Sequence, residues 1–298
     1  MNIRDLTYLR AVARHGHFGR AATACNVSQP TLSMQLKKLE STLGVTLIER
    51  APKSVKLTPV GVRVLALANE ALGAVAGIQS IAREARDPLS GAFRLGSIPT
   101  ISPFLIPRVL GRLESSYPKL ELGFREAITQ ELTRDLLDGH LDAAILATPP
   151  ETSRLTALPL FEEPLLVIHP TGHDLSELER MEVKDLPLEQ IILLSEGHCF
   201  RDQTVDLCSL RGAAGQAQTT VSSLETTISL VAAGQGVAIV PYLAQVTGRL
   251  NRPGITVRSL RSWNAHRQIN LTFRSSAPQR ALFEAIAEDM RGVMPDID

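Results

Sequence analysis

Two of the three cysteines, Cys199 and Cys208, stand nine positions apart in the stretch Ser195-Glu196-Gly197-His198-Cys199-Phe200-Arg201-Asp202-Gln203-Thr204-Val205-Asp206-Leu207-Cys208. A histidine, an arginine and two aspartates lie beside or between them. Inert structural cysteines sit among apolar neighbours, whereas reactive ones need polar or electropositive company that favours the thiolate. Cys199 has that company. If 199–208 is helical, nine steps of rise separate the two Cα atoms by about 13 Å, and a disulfide tolerates at most about 7 Å. Joining them would force the segment to refold, which makes the pair a candidate redox switch.

The chain totals limit what such a switch could control. At 298 residues the chain exceeds one core of ordinary size, so two or three domains are expected. With 44% hydrophobic and 21% charged residues it has the composition of a soluble globular protein. No uninterrupted apolar run approaches the roughly 18 residues of a membrane span. Met1-Asn2-Ile3-Arg4-Asp5 lacks the features of a signal peptide. The expected location is the cytoplasm, with no membrane partner. Three cysteines do not make a secreted disulfide framework, and a disulfide in a reducing compartment is more often catalytic or sensory than structural. The net charge of zero conceals an asymmetry: residues 1–63 hold ten Lys/Arg against three Asp/Glu, and the remainder 21 against 28. A basic head on an acidic body points to a polyanion partner at one end only.

In the head, Leu6, Leu9, Val12 and Ala13 share a face of a first helix, Phe18, Ala21, Ala22 and Cys25 of a second, and Leu32, Leu36 and Leu39 of a third. Cys25 lies on its apolar stripe and reads as core filler. Between the second and third helices Asn26 suits a helix C-terminus, Ser28 an N-cap, and Pro30 a first turn with no N–H to spare. This is a helix-turn-helix pattern. Gln29, Thr31, Ser33, Gln35, Lys37 and Lys38 fall off the third stripe, where amides and hydroxyls can read base edges and lysines can neutralise phosphates. With Ser28 and Pro30 at the turn, they are the candidate DNA contacts. Val45-Thr46-Leu47-Ile48 and Ser54-Val55-Lys56-Leu57 read as strands flanking Arg50-Ala51-Pro52-Lys53, a basic wing in which Arg50 and Lys53 would reach the minor groove or backbone. After Thr58-Pro59, the series Val64, Leu67, Ala68, Ala71, Leu72, Val75, Ile78 and Ile81 reads as one long helix ending near Asp87-Pro88.

From Phe93 onwards short apolar runs alternate with helical stretches, as in α/β folds. Strands are expected at 93–98, 120–126, 143–147, 165–169, 190–194, 237–240 and 268–273, with helices after Ser102, Thr129, Ser222 and Pro278. Ser222 with Glu225 reads as a capping box. Competing chemistry is scarce: there is no GxSxG elbow, P-loop or strand-bound GxGxxG. The histidines lack partners at metal-ligand spacing, so neither metal nor cofactor is expected. Glu162 and Glu163 are adjacent and would not normally face each other.

Phe18-Gly19-Arg20-Ala21-Ala22, Val27-Ser28-Gln29-Pro30-Thr31-Leu32-Ser33, Leu39-Glu40 and Leu43-Gly44-Val45-Thr46-Leu47-Ile48-Glu49-Arg50 resemble the winged helix-turn-helix of LysR-type transcriptional regulators. Members often carry an arginine where Met34 stands. The resemblance implies an N-terminal all-α winged helix-turn-helix (1–58), a linker helix (59–90) that pairs two subunits, and a C-terminal α/β two-lobed effector domain (91–298) of the type 2 periplasmic-binding-protein fold. Lobe I would comprise 91–161 and 268–298, and lobe II 162–267, joined by crossover strands near 161–167 and 267–271. Ligands in such folds lie between the lobes, above strand ends and helix N-termini, where Thr100 and Thr129 would face.

Gly197-His198-Cys199-Phe200-Arg201-Asp202-Gln203 with Cys208, together with Ile98-Pro99-Thr100, Glu126-Ala127-Ile128-Thr129, Pro159-Leu160-Phe161-Glu162-Glu163-Pro164 and Ser223-Leu224-Glu225-Thr226, resembles the peroxide-sensing members of that family. That resemblance implies Cys199 as the peroxidatic thiol and Cys208 as the resolving thiol. Thr100, Thr129, His198 and Asp202 would hold the peroxide and pass its proton. Arg267 on a late strand would favour the thiolate, which Asp202 at i+3 would oppose. The implied function is a DNA-binding regulator that senses hydrogen peroxide stoichiometrically and is not an enzyme. It would be a homotetramer built as a dimer of dimers, contact RNA polymerase, and be reset by glutaredoxin or thioredoxin. The alternatives are a LysR-type regulator with an organic inducer between the lobes and incidental cysteines, and a thiol peroxidase that would leave the DNA-reading head unexplained.

Overall fold

A computed structural model describes residues 1–51, 54–84, 90–208, 219–260 and 265–292. The chain divides into two compact units near Ala82 and Arg83. In the first, helices α1 (Ile3–His15), α2 (Phe18–Ala24) and α3 (Gln29–Leu43) enclose a small core in which Leu9, Val12, Ala21, Leu32 and Leu36 are fully buried. Asn2 and Asp5 exchange side-chain to backbone bonds that cap α1. Asn26 takes the left-handed conformation, φ 54°, that ends the turn after α2, and the Ser28 hydroxyl accepts from the Thr31 N–H to start α3.

The wing is an antiparallel pair, β1 (Ile48–Ala51) and β2 (Ser54–Leu57), with Ile48 opposite Leu57. The expected strand at 45–48 begins later, because the Leu47 and Ile48 N–H groups donate to Glu40 Oε1 and turn the chain first. Arg50 lies within β1, not in the tip. Lys53 lies outside the described residues. Helix α4 (Pro59–Glu84) follows as expected, and the expected end near Asp87 also falls outside the described residues. Leu6 of α1 packs on Ala68 and Leu72, while Val60, Leu67 and Ile78 are exposed. By length and composition Pro59–Ile78 is apolar enough to cross a bilayer, with mean hydropathy 1.4 and 17% buried. Counting uninterrupted apolar residues passes over it because Arg63 and Glu70 break the run.

The second unit contains, in order, β3 (Gly91–Ser97), α5 (Ser102–Ser116), β4 (Leu120–Glu126), α6 (Thr129–Leu137), β5 (Ala143–Leu146), β6 (Leu155–Pro170), β7 (Leu193–Leu194), α7 (Cys199–Leu207), β8 (Thr220–Val221), α8 (Leu224–Ala232), β9 (Ala238–Pro241), α9 (Tyr242–Val246), β10 (Ile255–Ser259), β11 (His266–Arg274) and α10 (Arg280–Arg291). The main sheet runs β10-β6-β11-β5-β3-β4, with β9 also on β6 and a separate parallel pair β7-β8. β3 lies parallel to β4 and β5, and β11 antiparallel to β5 and β6. The long strand β6 joins two halves: Leu155 to Pro164 pairs with β11, and Leu165 to Pro170 pairs with β9 and β10.

Several expectations shift. β6 begins ten residues before the expected strand at 165, through Pro159 and Pro164, which by propensity argue against a strand. The ladder absorbs them with a bulge: Phe161 faces Ile269 and Pro159 faces Asn270, leaving Leu160 as the extra residue. Only Leu193–Leu194 of the strand expected at 190–194 forms, after a 3-10 turn at Leu188–Gln190. β8 and β10 were not expected. The cap of α8 is Ser223, whose hydroxyl accepts from the Thr226 N–H, and Glu225 pairs with Arg252 instead of closing a box on Ser222.

Candidate functional site

The site gathers at strand ends and helix starts. Thr100 follows β3 and is 2% exposed. Thr129 opens α6, and His198 caps α7, whose first residue is Cys199. Ile98, Pro99, Thr100, Ile128, Thr129, His198, Cys199 and Phe200 line one small cavity. Gly197 makes the turn into α7 at φ 91°, and a Cβ there would meet Ile128 Cδ1 at 3.3 Å. The left-handed backbone is what requires glycine here. Burial holds the His198 imidazole below its ordinary pKa, so at neutral pH it is uncharged and can accept a proton bond. The Thr129 hydroxyl is buried and has no partner among the described residues.

Arg267 on β11 is buried beside the cavity. Its Nε–H donates to Glu163 Oε2 at 2.7 Å, and its Nη1 and Nη2 donate to Thr100 Oγ1 and the Thr100 carbonyl at 2.9 and 3.2 Å. The guanidinium stacks 4.9 Å above the Phe200 ring. The sequence missed Glu163, which is fully buried and whose other oxygen accepts from the Leu243 N–H at 2.8 Å. Glu162 and Glu163 do point apart, as adjacent strand residues must, and that alternation sends one of them inward.

The segment 199–208 is helical, with Cys208 as its C-cap. Cys208 is buried with Leu165, Leu193, Phe200, Leu207 and Val237, and this apolar setting pushes its thiol up to about 11. All three cysteines are free thiols. Cys199 and Cys208 thus sit at opposite ends of α7, about 13 Å apart along its axis. Two polar tethers hold that helix: Arg201 Nη1 donates to the Leu194 carbonyl at 2.9 Å, and Gln203 Nε2 to the Ala147 carbonyl at 2.8 Å. Asp202 is exposed one turn along α7, outside the cavity lining. Among the described residues no group of three or more metal-ligating side chains occurs.

In the first unit, Ser28, Gln29, Pro30, Lys37 and Lys38 are exposed on α3 and its cap, and Thr31, Ser33 and Gln35 are half-buried. Met34, 61% exposed, stands in their midst. Cys25 packs on the apolar core, which raises its thiol pKa.

Residues 3–62 match the family described as bacterial regulatory helix-turn-helix protein, lysR family, and residues 86–295 match the LysR substrate binding domain. The chain is 39% identical over 294 residues to the DNA-binding transcriptional dual regulator OxyR of Escherichia coli K12, covering 99% of this chain and 96% of that protein. A full-length Pseudomonas aeruginosa OxyR with one cysteine changed to aspartate superposes with TM-score 0.81 at 36% identity, over 98% of this chain and 95% of that one. A Corynebacterium glutamicum OxyR cysteine mutant, with hydrogen peroxide bound, superposes with TM-score 0.66 at 35% identity, over 98% and 92%.

Proposed function

The chain belongs to the LysR family of bacterial transcription regulators, and from that membership we propose that it senses hydrogen peroxide at Cys199 and controls transcription through its winged head. The observation that carries the reading is the gathering of Thr100, Thr129 and His198 around Cys199 at the start of α7.

The Cys199 thiolate attacks one peroxide oxygen, the O–O bond breaks, and the sulfur becomes a sulfenic acid, S–OH. The departing hydroxide takes a proton and leaves as water. Thr100, Thr129 and His198 line the space where those oxygens must lie, and the unpartnered Thr129 hydroxyl supplies a group ready to bond one of them. The Cys208 thiol then attacks the oxidised sulfur, a disulfide forms and a second water leaves. Two thiols and one peroxide give one disulfide and two waters. Because α7 holds the cysteines too far apart to bond, this last step requires α7 to unwind and Cys208 to leave its apolar site.

The basic head binds duplex DNA, with Ser28, Gln29, Pro30, Thr31, Ser33 and Gln35 towards base edges, and Lys37, Lys38, Arg50 and Lys53 on phosphates. The exposed apolar stripe of α4 pairs subunits, and further pairing gives a dimer of dimers in the cytoplasm. Refolding at α7 alters how those subunits present their heads and lets the protein engage RNA polymerase. Glutaredoxin or thioredoxin returns the disulfide to thiols.

The test is to treat reduced protein under nitrogen with one molar equivalent of hydrogen peroxide and map cysteine states by mass spectrometry within seconds. The expected result is a Cys199–Cys208 link with Cys25 still free. If both thiols survive that dose, the sensing assignment fails.

A further inference from the structure

Arg267 is surrounded in a way that decides how it can act. Its charge is balanced by Glu163, which is fully buried, and one donor of each Nη is held by Thr100. A guanidinium so neutralised is not a free cation beside Cys199 Sγ. What it does fix is the hydroxyl of Thr100. Because Thr100 Oγ1 accepts from Arg267 Nη1, its own O–H hydrogen must point elsewhere, and the cavity is the side it lines.

We propose that Glu163 is a positioning residue for the peroxide reaction: it holds Arg267, which polarises Thr100 so that the threonine hydroxyl donates to a peroxide oxygen. This rests on the peroxide-sensing reading above. Glu163 is suited to the task because its two oxygens are bound on separate elements, one to Arg267 on β11 and one to the Leu243 N–H in α9. The carboxylate therefore cannot rotate away without losing a buried partner. The aromatic face of Phe200 closes the other side of the guanidinium and belongs to the residue next to Cys199. Glu163, Arg267, Thr100 and the start of α7 thus form one buried chain of contacts ending at the reacting atoms.

The chain makes separable predictions for two reagents. A peroxide needs a donor for its departing oxygen, whereas iodoacetamide needs only a nucleophilic sulfur. In full-length protein carrying Cys208→Ser, so that only the first step is read, Glu163→Gln is expected to slow sulfenic acid formation about 10- to 100-fold, the range that follows from displacing one oriented group. Glu163→Asp keeps the charge that balances Arg267 but is too short to span both partners, so its peroxide step is expected to fall between wild type and Glu163→Gln, while its rate of Cys199 alkylation by iodoacetamide at the same pH is expected to stay within about twofold, since nucleophilicity of the sulfur is not what positioning supplies.

Thr100→Val supplies the decisive comparison. If Glu163 acts through Thr100, adding Glu163→Asp to Thr100→Val slows the peroxide step no further. A wild-type peroxide rate in Glu163→Asp overturns the proposal, and so do losses that multiply in the double variant or a parallel loss of alkylation. If instead the parent Cys208→Ser protein itself ignores peroxide, it is the sensing reading that fails.

Discussion

At Thr129 the protein carries a buried hydroxyl with no hydrogen-bond partner among the described residues, a condition that costs about 1–3 kcal/mol. Under the proposed function that hydroxyl bonds a peroxide oxygen. Thr129→Val keeps the shape and removes the orphan. It is expected to raise the unfolding free energy by about 1 kcal/mol while slowing sulfenic acid formation about tenfold or more. Denaturant midpoints and stopped-flow rates on the same preparation test both halves, and a variant that is less stable but equally fast would remove Thr129 from the site. Thr100 and Thr129 were legible in the sequence because each follows an expected strand, Cys199 because of its polar company, and His198 through the family resemblance. Glu163 was not. Its burial follows from the pairing of β6 with β11, which sets it against a residue 104 positions away, and nothing in the adjacent Glu162-Glu163 pair announces that register. The apolar setting of Cys208 is of the same kind, assembled from β6, β7 and β9 as well as its own helix.

The element that the proposed disulfide would require to move has little stability of its own. α7 has nine residues, and isolated helices below about 12 residues are marginal in water. Its stability is borrowed from Phe200 and Leu207 in the core and from the tethers at Arg201 and Gln203. A disulfide therefore competes with tertiary contacts, not with strong helix propensity. On oxidation, backbone amides of Gln203 to Leu207 are expected to lose hydrogen-exchange protection by several orders of magnitude, while α8 keeps its own. A disulfide that forms with α7 protection unchanged would exclude refolding of this helix. Sequence pattern gave the existence of most elements and misplaced their edges where a side chain competes with the backbone. Glu40 delays the wing strand by binding the Leu47 and Ile48 amides. Ser223 takes the α8 cap that Ser222 was expected to hold, and Glu225 is drawn to Arg252 across the structure. Those choices are made by side-chain bonds, the Glu225–Arg252 pair spanning 27 positions, which periodicity does not see.

For the whole molecule, the decisive surface is the uncovered side of α4. Leu67 and Ile78 are 66% and 68% exposed, and eleven helical steps bring them to within about 20° of the same direction. Val60, seven residues before Leu67, extends the same stripe. The opposite face of the helix is already satisfied by Leu6 packing on Ala68 and Leu72, so covering the stripe does not compete with folding of the chain. Burying two such side chains against a second copy contributes about 1.5–3 kcal/mol each per subunit, and a membrane would have to accept Arg63 and Glu70 with them. Pairing of subunits is the better use of the face. Leu67→Glu with Ile78→Glu is expected to shift sedimentation equilibrium towards the 32.4 kDa monomer with the thermal unfolding of the second unit unchanged. The Cys199–Cys208 link should still form in the monomer, because both cysteines stand at the ends of one helix, α7. Binding to a two-site operator should weaken by about 100-fold or more, because each head then binds without the effective concentration its partner supplies. If the double variant remains assembled, another surface holds the subunits together. If it is monomeric yet binds the operator as tightly as before, a single head suffices, and the link from peroxide to transcription cannot run through the pairing of heads.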